Sequence, residues 1–154
     1  FKTIEGKRRS PITNEYKADT VEVKSRKHND KYKLLIEFVG ITGHAGWLYG
    51  SANYIAFDIP ERNMFIFFPT NQLKEYVENL TNTTIKGSGN NVEVIHKDGS
   101  PVQIVSDNDN VETPVFYSRK TINSISGHKN KDAITRIDLI TLIETLNPFK
   151  LKYT

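Results

Sequence analysis

The stretch Thr20-Val21-Glu22-Val23-Lys24-Ser25 decides how the fold of this chain is interpreted. Side chains of an extended strand alternate between two faces, so Glu22 and Lys24 share one face while Val21 and Val23 share the other. Because β-branched valines favour a buried strand face, we expect the acid and the lysine on the opposite, open surface. A Glu-x-Lys pair can hold a divalent cation and stabilise charge on a phosphate group. A plain surface pair of glutamate and lysine has the same pattern, and both interpretations stay open at this point.

The composition predicts one compact domain spanning residues 1–154. The chain has 154 residues, of which 25% are charged and 10% aromatic, as in an ordinary globular protein. It has no cysteine, which excludes disulfide scaffolds, thiolate zinc sites and cysteine nucleophiles. A metal site would therefore use carboxylate, carbonyl or histidine ligands, which favours Mg²⁺ or Mn²⁺.

Hydropathy and the first residue of the chain are evidence about cellular localisation and processing. No apolar run approaches the roughly 20 residues of a membrane span, and no signal-peptide pattern opens the chain. We therefore expect a cytoplasmic protein with no membrane partner. The chain begins with Phe1 rather than Met, so we expect either processing or a natural sequence that extends upstream and supplies further site residues.

Positive charge is concentrated at the start of the chain. Residues 1–33 carry ten Lys and Arg against five acidic residues, whereas the remainder has a net charge of −2. A basic field around Glu22 and Lys24 would attract a polyanion such as DNA. A solvated basic face explains the same run equally well. The side chains expected to contact nucleic acid from this region are those of Lys7, Arg8, Arg9, Arg26 and Lys27.

The first half of the chain reads as hairpins followed by a helix. We predict strands at 1–5 and 18–25 joined through a turn at 6–11, an apolar strand at 32–39, and a second hairpin from 52–59 and 64–69. Thr70 is a candidate cap for the next helix, in which Leu73, Val77 and Leu80 recur at helical spacing.

The second half is less strongly patterned. Residues 92–95 and 102–105 flank the turn signal Asp98-Gly99 and predict a small hairpin, and 114–117 predict a further strand. A helix is predicted to begin with Thr135 or a neighbouring residue as its cap and Asp138 as its capping acid, and to end at Asn147-Pro148, before a short basic tail. Strands thus outnumber helices, which predicts an α+β or mixed α/β domain with helices packed over a mixed central sheet.

A glycine-rich loop at residues 43–51 carries Trp47, the only tryptophan, and Tyr49. Aromatic side chains between glycines often contact ligands, because the rings offer flat surface and the glycines let backbone approach closely. We therefore add Trp47 and Tyr49 to the candidate nucleic-acid contacts. The alternative is that Trp47 closes one end of the hydrophobic core.

The basic hairpin with Glu22-x-Lys24 on its second strand, followed by an apolar strand, resembles the core of the PD-(D/E)xK, or restriction-endonuclease-like, nuclease superfamily. The stretches Leu34-Leu35-Ile36-Glu37, Gly46-Trp47-Leu48-Tyr49 and Ala52-Asn53-Tyr54-Ile55-Ala56 look like those of small phage and bacterial members, and the resemblance covers about residues 1–80. It implies a Mg²⁺- or Mn²⁺-dependent nuclease, a hydrolase that cleaves DNA in a bacterial or phage-infected cell. Glu22 and Lys24 would be the catalytic pair, with Glu22 at the metal. A homodimer is compatible with this assignment.

The family pattern also requires an acid on the strand before the acid-x-Lys strand. Asp19 fails, because it lies three positions before Glu22, and an odd spacing places it on the opposite strand face. Glu5 lies at a suitable distance in sequence, and a residue upstream of Phe1 would also fit. Glu37, on the following strand, is a candidate additional metal ligand.

Two other functions remain open from the sequence. The first is a non-catalytic nuclease-fold module that binds nucleic acid or protein within a phage or bacterial assembly. The second is a structural or inhibitory phage protein with an unrelated α+β fold. Histidine metal binding is disfavoured, since the four histidines are scattered and none lies at a ligand spacing from another.

Overall fold

The computed structural model describes residues 2–9, 16–25, 33–103, 105–106, 116–117 and 132–154, with side chains described for 19–25, 33–103 and 132–154. Within these ranges the protein is a mixed α+β structure of eleven strands and two helices. The elements are β1 Lys2–Arg9, β2 Tyr16–Ser25, β3 Lys33–Val39, β4 Tyr54–Ile59, β5 Met64–Pro69, α1 Thr70–Thr81, β6 Thr83–Lys86, β7 Glu93–His96, β8 Val105–Ser106, β9 Phe116–Tyr117, β10 Ala133–Asp138, α2 Leu139–Leu146 and β11 Phe149–Lys152. Neither of these helices is long and apolar enough to cross a membrane.

The chain divides into two compact units. One contains residues 1–32, 51–73 and 140–154, and the other contains residues 33–50 and 74–139. The first holds a five-stranded sheet in the order β1-β2-β4-β5-β11. Its strands run antiparallel to their neighbours except for β2 and β4, which are parallel. The predicted mixed sheet is thus confirmed, and β2 lies inside it with a neighbour on each side.

The hairpin of β4 and β5 forms the apolar centre of the first unit. A short 3-10 turn at Pro60–Arg62 reverses the chain, and Asn63 completes the turn with a φ of 49°, a left-handed conformation that asparagine tolerates. One face of the hairpin is at most 2% exposed and is formed by Ile55, Phe57, Ile66 and Phe68. The rings of Phe57 and Phe68 pack edge to face with centroids 5.8 Å apart, which fixes the register of this face.

The second unit is built around a sheet in the order β3-β10-β9-β8 and a separate pair of β6 and β7. The alternation predicted for β3 is confirmed, because Leu34, Ile36 and Phe38 are all at most 1% exposed. Across the ladder, Ile36 pairs with Thr135 and Leu34 with Ile137, and both partners are buried. One face of this sheet is therefore covered and apolar.

Two predicted turns differ from the structure. The expected turn at 6–11 is wrong in its first half, since Gly6 to Arg9 continue β1 in register with β2. The hairpin expected from 92–105 is also wrong, because β7 pairs with β6 at residues 83–86, which the sequence did not mark as a strand. The Asp98-Gly99 turn itself is present, with the Gly99 N–H donating to the His96 carbonyl at 2.9 Å. Over the described residues 101–103, its return arm forms one isolated bridge, between Ile95 and Pro101, since proline has no N–H to extend a ladder.

The predicted boundaries of the helices also need correction. Thr135 to Asp138 belong to β10, and α2 begins at Leu139. Thr70 is the first residue of α1, but its buried hydroxyl has no hydrogen-bond partner among the described residues and so does not cap the helix. Leu80 is 54% exposed and does not join Leu73 and Val77 in the core.

The C-terminal residues form structure rather than a tail. Asn147 ends α2 with a φ of 47°, and its N–H donates to the Ile143 carbonyl at 3.0 Å. This confirms the predicted end of the helix. The expected basic tail at 150–154 is wrong, because Phe149–Lys152 form β11 at the edge of the five-stranded sheet.

Candidate functional site

Glu22 and Lys24 form an ion pair on β2, with Lys24 Nζ 2.8 Å from Glu22 Oε1. Their shared face, expected from strand parity, is confirmed. The side chains are only 20% and 11% exposed, respectively. Through the parallel register with β4, Glu22 lies beside Ile55 and Lys24 beside Phe57, on the apolar face of the sheet.

The expected division between a buried valine face and an open charged face is therefore wrong. Val21 and Val23 are only half-buried, although their row continues into Tyr54 and Ala56, which are buried on the other side of the sheet. Both faces of β2 are partly covered, and the charged pair lies on the face that carries Ile55 and Phe57. Removing two charges from water costs several kcal/mol per ion, which close pairing offsets. The contact between the two charges thus makes their partial burial less costly.

The row that carries the ion pair is anchored at its N-terminal end by Thr20 and Asn53. The Thr20 N–H donates to Asn53 Oδ1 at 3.0 Å, and the Asn53 N–H donates to the Thr20 carbonyl at 3.0 Å. The Thr20 hydroxyl also reaches Asn53 Oδ1 at 3.3 Å. These bonds fix β2 against the start of β4 and so set the position of Glu22. Sequence reasoning missed Asn53, since nothing local indicates a partner 33 residues away.

The backbone register places position 5 close to the ion pair. Glu5 of β1 pairs with Thr20, and Thr3 pairs with Glu22, so Glu5 occupies the alternating row of Glu22 at a diagonal position. Lys7 and Arg9 fall in the same row, whereas Arg8 falls in the other. For β1 the structure describes the backbone and not the side chains. Arg26 and Lys27 lie outside the described residues.

Glu37 belongs to a different sheet from Glu22. It lies on β3, half-buried, opposite Ile134 of β10. The glycine-rich loop packs closely against the backbone of β3 at this position. The Gly46 N–H donates to the Phe38 carbonyl at 2.7 Å, and a Cβ at position 46 would lie 2.3 Å from the Glu37 carbonyl oxygen. Among the described side chains, no group of three His, Asp or Glu residues is arranged to hold a metal ion.

The aromatic residues of the glycine-rich loop are engaged in packing. The Tyr49 hydroxyl donates to Glu78 Oε2 at 3.0 Å, and burial, reinforced by the Glu78 charge, raises the pKa of Tyr49 far above its ordinary value. Leu48 is fully buried, whereas Trp47 is half-buried. Gly43 has a φ of 82°, and its carbonyl accepts the Val92 N–H at 3.0 Å. These contacts hold Tyr49 and the loop backbone in place, and DNA contact by Trp47 and Tyr49 stays a prediction.

No protein-family model, curated protein or solved structure matches this chain.

Proposed function

We propose that this protein is a Mg²⁺- or Mn²⁺-dependent nuclease of restriction-endonuclease-like fold that cleaves DNA phosphodiester bonds. The observation that carries the proposal is the Glu22 and Lys24 pair, with Lys24 Nζ 2.8 Å from Glu22 Oε1 on an interior strand. The nuclease superfamily that the sequence resembles places its acid-x-Lys pair on a central strand. Its further acid comes from the strand before.

The strand next to β2 supports this proposal. Glu5 lies on β1, the preceding strand, in the row of Glu22 and one diagonal step away. Diagonal positions of an antiparallel pair are about 7–8 Å apart, a gap that two glutamate side chains can span when both bind one cation. Lys7 and Arg9 continue that row and would add positive charge for the phosphate backbone of DNA.

The donor chemistry fits a hard divalent cation. Carboxylate oxygens are the ligands that Mg²⁺ prefers, and Mg²⁺ sites commonly use one or two protein carboxylates with water filling the remaining positions. Glu22 and Glu5 would hold the ion. When bound, the ion would supply positive charge at the phosphate.

Lys24 would act on the charge that develops during cleavage. Its ammonium group stands in the row of Glu22, where it would orient the attacking water or stabilise negative charge on a phosphate oxygen. The neighbouring Ile55 and Phe57 are at most 2% exposed. Such apolar surroundings lower the local dielectric constant and strengthen the effect of a fixed positive charge.

The test is cleavage of single- and double-stranded DNA with Mg²⁺ or Mn²⁺. We expect cleavage by the wild-type chain, its loss in EDTA, and a fall of about 100-fold or more in Lys24→Met and Glu22→Gln, in the range typical for a lost catalytic charge. Lys86→Met is the matched control, since Lys86 is an exposed strand lysine. Circular dichroism must show each variant folded at the assay temperature. Undiminished cleavage by folded Lys24→Met would overturn the assignment.

A second candidate function is a non-catalytic module that binds nucleic acid. The ion pair itself favours it, because Lys24 already neutralises Glu22 at 2.8 Å and the pair can serve burial alone. This alternative predicts DNA binding that weakens with salt and persists in EDTA, with no cleavage in either metal.

A further inference from the structure

The edge strand β11 is exposed along its whole length. It lies at one end of the five-stranded sheet, and among the described strands only β5 is beside it. All four of its residues are exposed, including the large apolar side chains of Phe149 at 60% and Leu151 at 57%. An edge strand with open backbone groups and exposed apolar side chains is a template for pairing with another strand.

The direction of the backbone groups on β11 follows from its pairing with β5. Beyond the last strand residue, the Tyr153 N–H donates to the Asn63 carbonyl at 2.8 Å, which continues the register of Phe149 with Phe67 and Leu151 with Phe65. Backbone groups alternate in direction along a strand. The odd-numbered residues therefore bond to β5, and the N–H and C=O groups of Lys150 and Lys152 point to the open edge.

The side chains of β11 divide by charge between the two faces. Lys150 and Lys152 share the row of Ile66 and Met64, while Phe149 and Leu151 share the row of Phe67 and Phe65. The apolar row is aromatic, since Phe149 packs edge to face on Tyr54 with centroids 6.3 Å apart. A strand added at this edge would place alternate residues against the lysines and the others against this aromatic row.

Charge disfavours antiparallel pairing of β11 with a second copy of itself. Directly opposed residues in an antiparallel pair are either both hydrogen-bonded or both not. Since the outward groups of β11 belong to Lys150 and Lys152, each antiparallel self-pairing sets lysine opposite lysine. Like charges directly opposite each other are destabilising. The lysines thus disfavour self-association and favour an acidic strand.

We propose that β11 is a docking edge for an extended segment of a partner protein in which acidic residues alternate with apolar ones. The acidic residues would face Lys150 and Lys152, and the apolar ones would cover Phe149 and Leu151. The partner's backbone would complete the hydrogen bonds of the two lysines, in the mode of strand addition to a sheet. This inference stands apart from the proposed nuclease activity, which needs β1 and β2 at the other end of the sheet.

The test uses a fluorescent peptide of alternating glutamate and valine and measures its binding by anisotropy. We expect saturable binding by the wild-type chain and a loss of about 10- to 100-fold in affinity for the double variant Lys150→Glu with Lys152→Glu, since two cross-strand pairs change from attraction to repulsion. The double variant should instead bind a peptide of alternating lysine and valine. Lys97→Glu is the control, since it reverses an exposed lysine outside β11.

A proline substitution separates strand addition from simple charge attraction. Lys150→Pro removes an outward N–H and leaves the bonds to β5 intact. It should therefore bind the acidic peptide about tenfold more weakly than Lys150→Ala, which corresponds to the loss of one backbone hydrogen bond. Equal binding by these two variants, or equal binding of a peptide with its glutamates and valines in blocks, would overturn the proposal. So would a dimer of the wild-type chain in sedimentation that Lys150→Pro abolishes, or single-stranded DNA competing for the same edge.

Discussion

Replacing Lys24 with methionine should destabilise the fold strongly, although the ion pair it breaks contributes little net stability. At 2.8 Å the attraction of the two charges amounts to about 6 kcal/mol at an effective dielectric constant near 20. Desolvation of both groups offsets most of that attraction. Lys24→Met removes the attraction but leaves the Glu22 carboxylate, only 20% exposed, beside the apolar Ile55. We therefore expect a loss of about 2–4 kcal/mol, somewhat below the 3–5 kcal/mol of a fully buried pair.

Urea unfolding followed by circular dichroism and Trp47 fluorescence measures this loss as a shift of the midpoint. The companion variants are Glu22→Leu and the double variant Glu22→Leu with Lys24→Met. The double variant should recover most of the stability, because two apolar side chains of similar volume replace the pair without leaving a charge behind. Lys86 and Glu93 supply the matched control, since they are exposed partners across the ladder of β6 and β7. Lys86→Met should cost at most about 0.5 kcal/mol.

Two results would contradict the predicted effect of Lys24→Met. If Lys24→Met changed stability no more than Lys86→Met, the pair would behave as an exposed surface contact. If the double variant were less stable than either single variant, the pair would be a net source of stability and the opposition between attraction and desolvation would be wrong. The wild type, the two single variants and the double variant form a double-mutant cycle. Its coupling free energy isolates the interaction between Glu22 and Lys24, provided that the single variants form no new contacts.

Three further predictions test the second unit by urea unfolding. Gly46→Ala should cost about 1–3 kcal/mol, because its Cβ would lie 2.3 Å from the Glu37 carbonyl oxygen and force backbone to move. Tyr49→Phe should cost about 1–3 kcal/mol, since it leaves the part-buried Glu78 carboxylate without the 3.0 Å bond from the hydroxyl. The Ser100 hydroxyl and N–H both donate to Asp98 Oδ1 and hold the pKa of Asp98 below its ordinary value of 3.8. The stability that wild type gains over Asp98→Asn should therefore be present above that value and vanish as pH falls through the lower folded pKa. A difference that grows on acidification would contradict this assignment.

The parts of the fold that the sequence predicted correctly are those set by neighbours along the chain. The alternation of β3 placed Leu34, Ile36 and Phe38 on one buried face, because a half-buried strand needs only its own period of two. The turn between β4 and β5 was found from Pro60 to Asn63, whose backbone preferences are local. The restriction-endonuclease-like topology goes beyond the mixed α+β architecture and stays within the proposal.

The errors arose where pairing partners are distant in sequence. Thr135 to Asp138 have the spacing of a helix start, yet they pair with β3 about a hundred positions earlier. Isoleucine and threonine are β-branched and favour a strand once such a partner exists. In the same way, the stretch 150–154 reads as a basic tail until β5 provides the partner strand for Phe149–Lys152. Local propensity gave way to tertiary pairing in both cases.

The candidate site shows the same division between local and distant information. Strand parity brought Glu22 and Lys24 to one face and removed Asp19 from it, and both results follow from β2 alone. The burial of the pair does not follow from β2 alone, because it depends on Ile55 and Phe57 in the neighbouring parallel strand β4. The burial matters because either residue of an exposed pair could be replaced with little loss of stability. With Lys24 only 11% and Glu22 only 20% exposed, removal of one residue leaves the other charge partly buried without this partner. Two apolar residues could cover the same sheet at no loss of stability, so the cleavage assay is the measurement that separates the proposed chemical role of the pair from a structural one.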